Sequence, residues 1–303
     1  MQTPRLPHRG INFMKRFLIT TCLLLLMLVS FAQKREALLY KAYKANSLNQ
    51  LDSFFNHWLS ETAPISTAAF NTLSDTVQNI YAVFQNFYNP IDIDKTGGSE
   101  WGNDIYAKVK YLVVQTDIRY GFVDTLDKDL LIKNKIDRYT KGDSSKLQSL
   151  LQRYNGDIEN LHNNFLDWPE AKTYYTLNNF RPKLLFIKPG AVMLTPEYEN
   201  LLNQFLGSSH YKLGTGNIMA PATSKGESEK RQRFLEGRIK IWYGHWGGYW
   251  QLLSYPSVEK ITFDTKFENA LVDYRLVYEG GYAYFKKING NWTLVHAKRT
   301  WIE

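Results

Sequence analysis

The C-terminal part of the chain constrains the fold most, because it has the pattern of successive strands joined by short turns. Apolar and polar residues alternate along Val258–Asp264, Ala270–Glu279, Tyr282–Ile288 and Trp292–Trp301. The pair Asn289-Gly290 separates the last two segments, and such a pair is typical of a two-residue hairpin turn in which both residues have positive φ. The pattern therefore predicts a twisted antiparallel β-meander at the end of the chain.

The N-terminal part of the chain shows helical periodicity instead. Apolar residues recur at three- and four-residue spacing along Leu48–Leu59 and from about Thr67 to Tyr88. Asn46 or Ser47 is the expected N-cap of the first of these helices. Helices followed by a run of antiparallel strands make an α+β fold rather than an α/β fold. We therefore expect N-terminal helices with a C-terminal twisted antiparallel β-meander.

The middle of the chain is mixed. Tyr106–Val123 predicts one long strand or a hairpin, and Pro196–Gly207 predicts a helix that begins with a proline and ends at a glycine. We expect a mainly helical region with one strand pair over residues 33–178 and a β-rich, cone-like region over residues 179–303. The sequence leaves open whether these regions are one domain or two.

The N-terminus has the features of a secretory signal peptide. Lys15 and Arg16 precede the uncharged segment Phe17–Ala32, whose end supplies the small residues that signal peptidase recognises. Its 16 residues are fewer than the roughly 20 that a membrane-spanning helix needs. We expect cleavage after Ala32, with Met14 as an alternative translation start. The mature chain would then have no integral membrane anchor and would be periplasmic or extracellular; a retained anchor is the alternative.

Charge and cysteine content exclude several classes of protein. The chain holds 37 basic and 29 acidic residues, and four of the basic residues but none of the acidic ones lie in the first 32 positions. The remaining excess of positive charge is too small to indicate nucleic-acid binding. The only cysteine, Cys22, lies in the signal, so the mature chain has neither disulfides nor thiolate chemistry. No cofactor is expected.

The segment IWYGHWGGYW is the most unusual in the chain, because tryptophans alternate with glycines. In a single strand Trp242, Trp246 and Trp250 would share one face, and Tyr243 and His245 the other. Exposed flat indoles suit stacking on sugar rings, since each has an apolar body and one N–H donor. This pattern predicts ligand binding through the three tryptophans. The alternative is that the indoles pack over the glycines inside the core.

Polar residues on the predicted strands provide candidates for catalysis. If the sheet curves around a pocket, Tyr243, His245, Asp273 and Arg299 would line it, and a histidine beside a carboxylate can act as general acid and base. Tyr243 and Arg299 are also candidate ligand-binding residues. The alternative is a solvated sheet face with Asp–Arg pairs across strands. Asp92–Asn103 begins like a calcium loop but has no final glutamate, so no metal is expected.

The closing stretch, with Asn289-Gly290-Asn291-Trp292 leading into a strand that ends at Trp301, resembles the end of nuclear-transport-factor-like (SnoaL-like) domains. The mature chain also resembles a family of exported proteins of gut-type Gram-negative bacteria. The segments NFRP, LTPEYENLLNQFLG, IKIWYGHWGGYWQLLSYP and KRTWIE carry this second resemblance. A cone-like fold is what the first resemblance implies. Domains with that fold include enzymes, binding subunits and interaction modules, so it does not imply one function.

Three functional hypotheses follow from these features. The first is a non-enzymatic ligand-binding or accessory protein of the cell envelope, which contacts a small molecule or a glycan through the aromatic segment. The second is a cone-fold hydrolase or isomerase that uses His245 and Asp273. The third is a structural partner in an envelope complex. The identity of the ligand and the oligomeric state stay open.

Overall fold

The computed structural model describes residues 33–96, 105–157, 161, 166–185, 189–207, 225–243 and 250–302. Helices precede a β-rich C-terminal part, so the α+β prediction is confirmed. The helices are α1 (33–44), α2 (Leu48–Glu61), α3 (Thr67–Phe70), α4 (Asp75–Phe87), α5 (Lys128–Thr140), α6 (Ser144–Arg153), α7 (Pro196–Leu206) and α8 (Lys225–Leu235). The strands are β1 (Tyr111–Gln115), β2 (Asp117–Val123), β3 (Tyr174–Asn178), β4 (Gly190–Leu194), β5 (Trp242–Tyr243), β6 (Trp250–Gln251), β7 (Ser257–Asp264), β8 (Asn269–Leu276), β9 (Glu279–Ile288) and β10 (Asn291–Ile302).

The main sheet has six strands in the order β10-β9-β8-β7-β2-β3. Strands β7 to β10 form a continuous antiparallel meander, as the alternating pattern predicts. The turn between β9 and β10 consists of Asn289 and Gly290, with φ of 50° and 80°. Both values are positive, as expected for the hairpin turn. Strand β2 extends the sheet by pairing in parallel with β7 and antiparallel with β3.

The segment Tyr106–Val123 is neither one strand nor a hairpin, so that prediction is wrong. The ladder breaks at Thr116, whose hydroxyl donates to the carbonyl of Leu194 (3.0 Å). Strand β1 pairs in parallel with β4 in a separate two-stranded sheet, whereas β2 joins the main sheet. All five residues of β1 are buried. A strand that is buried on both faces does not alternate between apolar and polar residues, so the sequence gives no sign of where it ends.

Local capping sets most of the helix boundaries. Ser47 is the N-cap of α2, and its hydroxyl accepts a hydrogen bond from the first turn. The segment Thr67–Tyr88 holds two helices rather than the one predicted. Helix α3 ends at Phe70, and Ser74 then caps the second helix, α4. Helix α7 begins at Pro196 and ends at Gly207, which has a left-handed φ of 107°, as predicted.

The apolar side chains form two cores. The sheet core lies between α4 and one face of the main sheet; its largest side chains include Phe84, Phe180, Phe263, Tyr274 and Phe285. The helical core lies among α1, α2, α7, α8 and the described residues 239–241 and 250–252; it includes Phe54, Phe55, Trp58, Tyr198 and Phe205. The β1–β4 ribbon separates them, because Val114 and Met193 belong to the sheet core while Val113 and Val192 belong to the helical core.

The outer face of the main sheet, opposite α4, is covered only in part. Leu126 and Trp168 pack there against Leu271 and Tyr284. The rest of this face carries polar side chains, among them Asp273 of β8. Among the described residues no helix has both the length and the apolar character needed to cross a bilayer.

Candidate functional site

The aromatic segment contains a short hairpin pairing rather than one strand. Strands β5 and β6 are antiparallel, with Trp242 opposite Gln251 and Tyr243 opposite Trp250. Directly opposed residues share a face and neighbours in a strand alternate, so Trp242 and Trp250 lie on opposite faces. The expectation that they share one face is therefore wrong. It assumed an uninterrupted strand from residue 242 to residue 250, whereas the chain reverses between them.

The two described tryptophans of this segment pack in different cores. Trp250 is 5% exposed and belongs to the helical core. Trp242 is half-buried and packs against the sheet core, and the Nζ of Lys240 lies 4.7 Å from the centroid of its ring. Neither indole has an open face of the kind that sugar stacking on a flat aromatic platform requires.

Three residues named by the sequence pattern lack a described side chain. His245 and Trp246 fall in the stretch 244–249, outside the described residues, and the side chain of Tyr243 is likewise not described. The pairing of His245 with Asp273, and a contribution of Trp246 to ligand binding, therefore stay predictions.

Arg299 and Asp273 lie on opposite faces of the main sheet, so the single pocket expected around both is wrong. Arg299 of β10 is opposite Gly281 of β9, which is opposite Tyr274 of the sheet core. Its guanidinium donates to the buried carboxylate of Glu279 (2.5 Å). Asp273 precedes Tyr274 in β8 and therefore points to the outer face. A buried charge needs a partner, and Arg299 supplies one for Glu279.

Asp273 belongs to a cluster in which one lysine lies between two carboxylates. The Nζ of Lys260 is 2.7 and 2.9 Å from the carboxylate oxygens of Glu170 and 3.7 Å from Oδ2 of Asp273. The hydroxyl of Tyr174 donates to Glu170 (2.8 Å). Burial raises the pKa of Asp273 to about 6, although Lys260 acts against this rise. The carboxyl of Asp273 therefore titrates close to neutral pH.

A cleft of about 340 Å³ lies where the two cores meet, and we call it the junction cleft. Trp250 is on its wall, so at least one residue that the sequence pattern selected for binding lines a cavity. The described residues that line the cleft are Gln115, Thr116, Asp117, Leu194, Glu199, Trp250, Gln251, Leu252, Leu253, Tyr255, Ser257 and Arg275.

The walls of the junction cleft are polar and apolar in about equal measure, and two of the polar side chains are held in place. Gln115 is fixed because its amide bonds both backbone groups of Val258, at 2.7 and 2.8 Å. Arg275 is oriented by donating from Nε to the carbonyl of Val277 (2.8 Å). Glu199 brings the opposite charge from α7. A concave site of this size, with oriented polar groups beside apolar surface, suits a small polar ligand.

Sequence reasoning did not select Glu199 as a site residue and considered Arg275 only as part of a polar strand face. The two residues are 76 positions apart, on a helix and a strand that belong to different layers. No motif or periodicity links them, so only the tertiary fold shows that they line one cleft. Among the described residues, no cluster of three or more His, Cys, Asp or Glu side chains is arranged to hold a metal ion.

Comparisons with known proteins do not assign the chain to a family. No protein-family model, no curated protein and no solved structure matches it. The resemblances to SnoaL-like domains and to exported proteins of gut-type bacteria therefore stay predictions. A function can be proposed from the chemistry of the described sites.

Proposed function

We propose that the chain is exported through its N-terminal signal and acts outside the cytoplasm as a non-enzymatic ligand-binding or accessory protein. Its ligand is a small molecule or a short glycan held in the junction cleft. The observation that supports this proposal is that Trp250, Arg275 and Glu199 all line one concave site between the two cores.

The charges of the cleft favour a neutral, hydroxyl-rich ligand over a strong ion. The wall carries one cation, Arg275, and two carboxylates, Glu199 and Asp117, so a strong anion or a strong cation would each meet at least one repulsive group. Hydroxyl groups can accept from a guanidinium and donate to a carboxylate. Leu253, with the small exposed parts of Trp250 and Tyr255, supplies apolar contact for a sugar ring without an open aromatic face. A mono- or disaccharide fits this combination.

The cleft can be tested by replacing its one guanidinium and one of its two carboxylates singly. We expect Arg275→Gln and Glu199→Gln each to weaken saccharide binding about tenfold, since a hydrogen bond to a charged group is worth about 1.5 kcal/mol or more. Binding would be measured by calorimetry against a panel of neutral and N-acetylated mono- and disaccharides. The indole of Trp250 would report binding as a change in fluorescence.

Glu197→Gln is the matched control, because Glu197 lies on the same helix as Glu199 but outside the described wall of the cleft. It should leave saccharide affinity unchanged. Thermal unfolding of each variant would show that the fold is intact. The proposal fails if no saccharide binds the unaltered protein, or if Glu197→Gln weakens binding as much as Glu199→Gln.

If the chain is exported, the purified protein should begin at the residue that follows the cleavage site. When the full chain is expressed in a Gram-negative host, N-terminal sequencing should find Gln33 as the first residue. Ala32→Tyr should block processing, because signal peptidase requires a small residue at that position. Ala37→Tyr is the matched control, since Ala37 is exposed on α1 and follows the cleavage site. An unprocessed chain in the cytoplasm would contradict export, and an unprocessed chain in the membrane would favour the anchor.

A second candidate function is hydrolase or isomerase chemistry on the outer face of the sheet. The observation that favours it is the pKa of Asp273, about 6, because a carboxyl that titrates near neutral pH suits general acid–base work. Structural ion-pair clusters shift pKa values in the same way, so this observation supports the candidate less strongly than the cleft supports binding.

A further inference from the structure

Two adjoining hollows lie beside the helical core, on a surface away from the junction cleft. The first has a volume of about 700 Å³ and the second about 580 Å³. Gly237 lines both, so we treat them as one feature and call it the basic groove. Its name comes from five cationic side chains on its walls: Lys108, Lys110, Lys230, Arg233 and Arg238.

The charge of the basic groove is only partly balanced. None of the described residues that line it is acidic. Asp52, just outside, pairs with Lys110 (2.9 Å) and Arg238 (2.5 Å). Burial acts to raise the pKa of Asp52, but the hydrogen bonds from Arg238 and Lys110 hold it below its ordinary value. One ionised carboxylate therefore serves two cations, and Glu227 of α8 attracts Lys230, so the five cations of the groove still outnumber the carboxylates beside them.

These cations come together only in the folded protein. Lys108 and Lys110 precede β1, whereas Lys230 and Arg233 lie on α8 and Arg238 follows it. About 120 positions separate the two groups along the chain. The overall charge is modest, so the sequence does not indicate an anion-binding surface. A concave wall lined by one sign of charge nevertheless concentrates the field and attracts an anionic partner.

The backbone beside the groove leaves little for an extended peptide to pair with. The amides of Lys110 and Tyr111 both donate to the carbonyl of Arg238, at 2.9 and 3.0 Å. The carbonyl of Lys110 accepts from the amide of Gly190 (3.0 Å). A peptide added as a strand would need such groups to be available. Recognition in the groove must therefore come from side chains, and the concave shape suits a chain better than a flat membrane.

We propose that the basic groove binds a linear anionic polysaccharide, in which carboxylate or sulfate groups recur along a chain of sugar rings. The spaced cations match a repeating negative charge. Leu48 and Ile91, which are 42% and 39% exposed, offer apolar contact to the ring faces. This inference goes beyond the function proposed for the junction cleft, because it concerns a different surface and a charged polymer.

The test uses polygalacturonate as the probe and a triple variant, Lys108→Gln with Lys230→Gln and Arg233→Gln. These three side chains are exposed, and their replacement leaves the pairs of Asp52 in place. We expect affinity at low salt to fall about tenfold or more, since three exposed ion pairs with the polymer are lost. Binding by the unaltered protein should weaken as salt is raised.

The matched control removes the same charge elsewhere: Lys133→Gln, Arg138→Gln and Lys146→Gln, all exposed residues of α5 and α6. It should keep the affinity for polygalacturonate. The proposal is overturned if both triple variants lose affinity equally, because binding would then follow net charge alone. It is also overturned if poly-L-glutamate or phosphatidylglycerol vesicles bind the groove as tightly as the polysaccharide. Arg275→Gln should not affect this binding, so failure in the cleft and failure in the groove are distinguishable.

Discussion

Replacing Trp58 by alanine is expected to lower the free energy of unfolding by about 4 kcal/mol, within the range of Trp-to-Ala changes in well-packed cores. Trp58 of α2 is fully buried in the helical core. Its ring stacks on that of Tyr198 from α7, with centroids 4.4 Å apart and planes within 5°. Alanine would leave a cavity that these rigid aromatic neighbours cannot fill.

Trp58 also connects the helical core to the ribbon between the cores. Its indole N–H donates to the carbonyl of Met193 in β4 (2.8 Å), and the amide of Met193 donates to the hydroxyl of Thr62 (3.2 Å). Residues at the end of α2 thus satisfy both backbone groups of Met193. Without the indole, the carbonyl of Met193 keeps only the amide of Thr195 as a donor (2.9 Å). Losing one hydrogen bond of this kind costs about 1 kcal/mol of the total. Because Met193 packs in the sheet core, the effect reaches both cores.

The measurement is urea unfolding followed by far-ultraviolet circular dichroism, because the substitution removes a fluorophore. Trp58→Phe separates the two contributions: it keeps an aromatic ring but loses the N–H donor. We expect it to cost about 1–2 kcal/mol. If Trp58→Ala cost less than 1 kcal/mol, Trp58 would not connect the two cores as the contacts indicate.

The elements that the sequence predicted correctly are those determined by local chemistry. The alternation along β7 to β10 and the Asn289-Gly290 turn specify a meander within about 50 residues. The N-cap of α2 and the glycine that ends α7 are also local, since each acts within one turn of its helix. These features could be found because strand alternation and helix capping depend on neighbours in the sequence.

The parts that were missed depend on distant pairing. Strand β1 pairs with β4 and β2 with β7, across about 75 and 135 residues, and parallel pairs have no turn that marks them. The prediction for the aromatic segment was wrong because alternation with a period of two assigns side chains to the two faces only within one uninterrupted strand. Glu199 and Arg275 of the junction cleft, and the cations of the basic groove, converge only through tertiary packing.

Asp273→Asn is expected to stabilise the protein at pH 7.5 by about 2 kcal/mol. Burial raises the pKa of Asp273 from an ordinary 3.8 to about 6, and one pKa unit corresponds to about 1.4 kcal/mol. The value of about 6 already includes the attraction of Lys260; because the side chain is 28% exposed, solvent screening should hold the gain below the full conversion. Asparagine removes the charge with little change of shape.

The sign of the pH dependence follows from linkage. The folded state binds the Asp273 proton more tightly than the unfolded state, so the penalty is complete above about pH 6 and disappears as pH falls toward 3.8. The stabilisation by Asp273→Asn should therefore shrink between pH 7.5 and pH 4.5. Urea unfolding of both proteins at the two pH values measures this difference directly.

Glu170→Gln makes the same chemical change with the opposite expected sign. Hydrogen bonds from Lys260 and Tyr174 hold the pKa of Glu170 below its ordinary value, so its charge favours the folded state above that value. This variant should be less stable than the unaltered protein at pH 7.5. If Asp273→Asn were also destabilising at pH 7.5, attraction to Lys260 would outweigh burial. The carboxyl would then be an ordinary ion-pair partner, and the acid–base candidate would lose its only support.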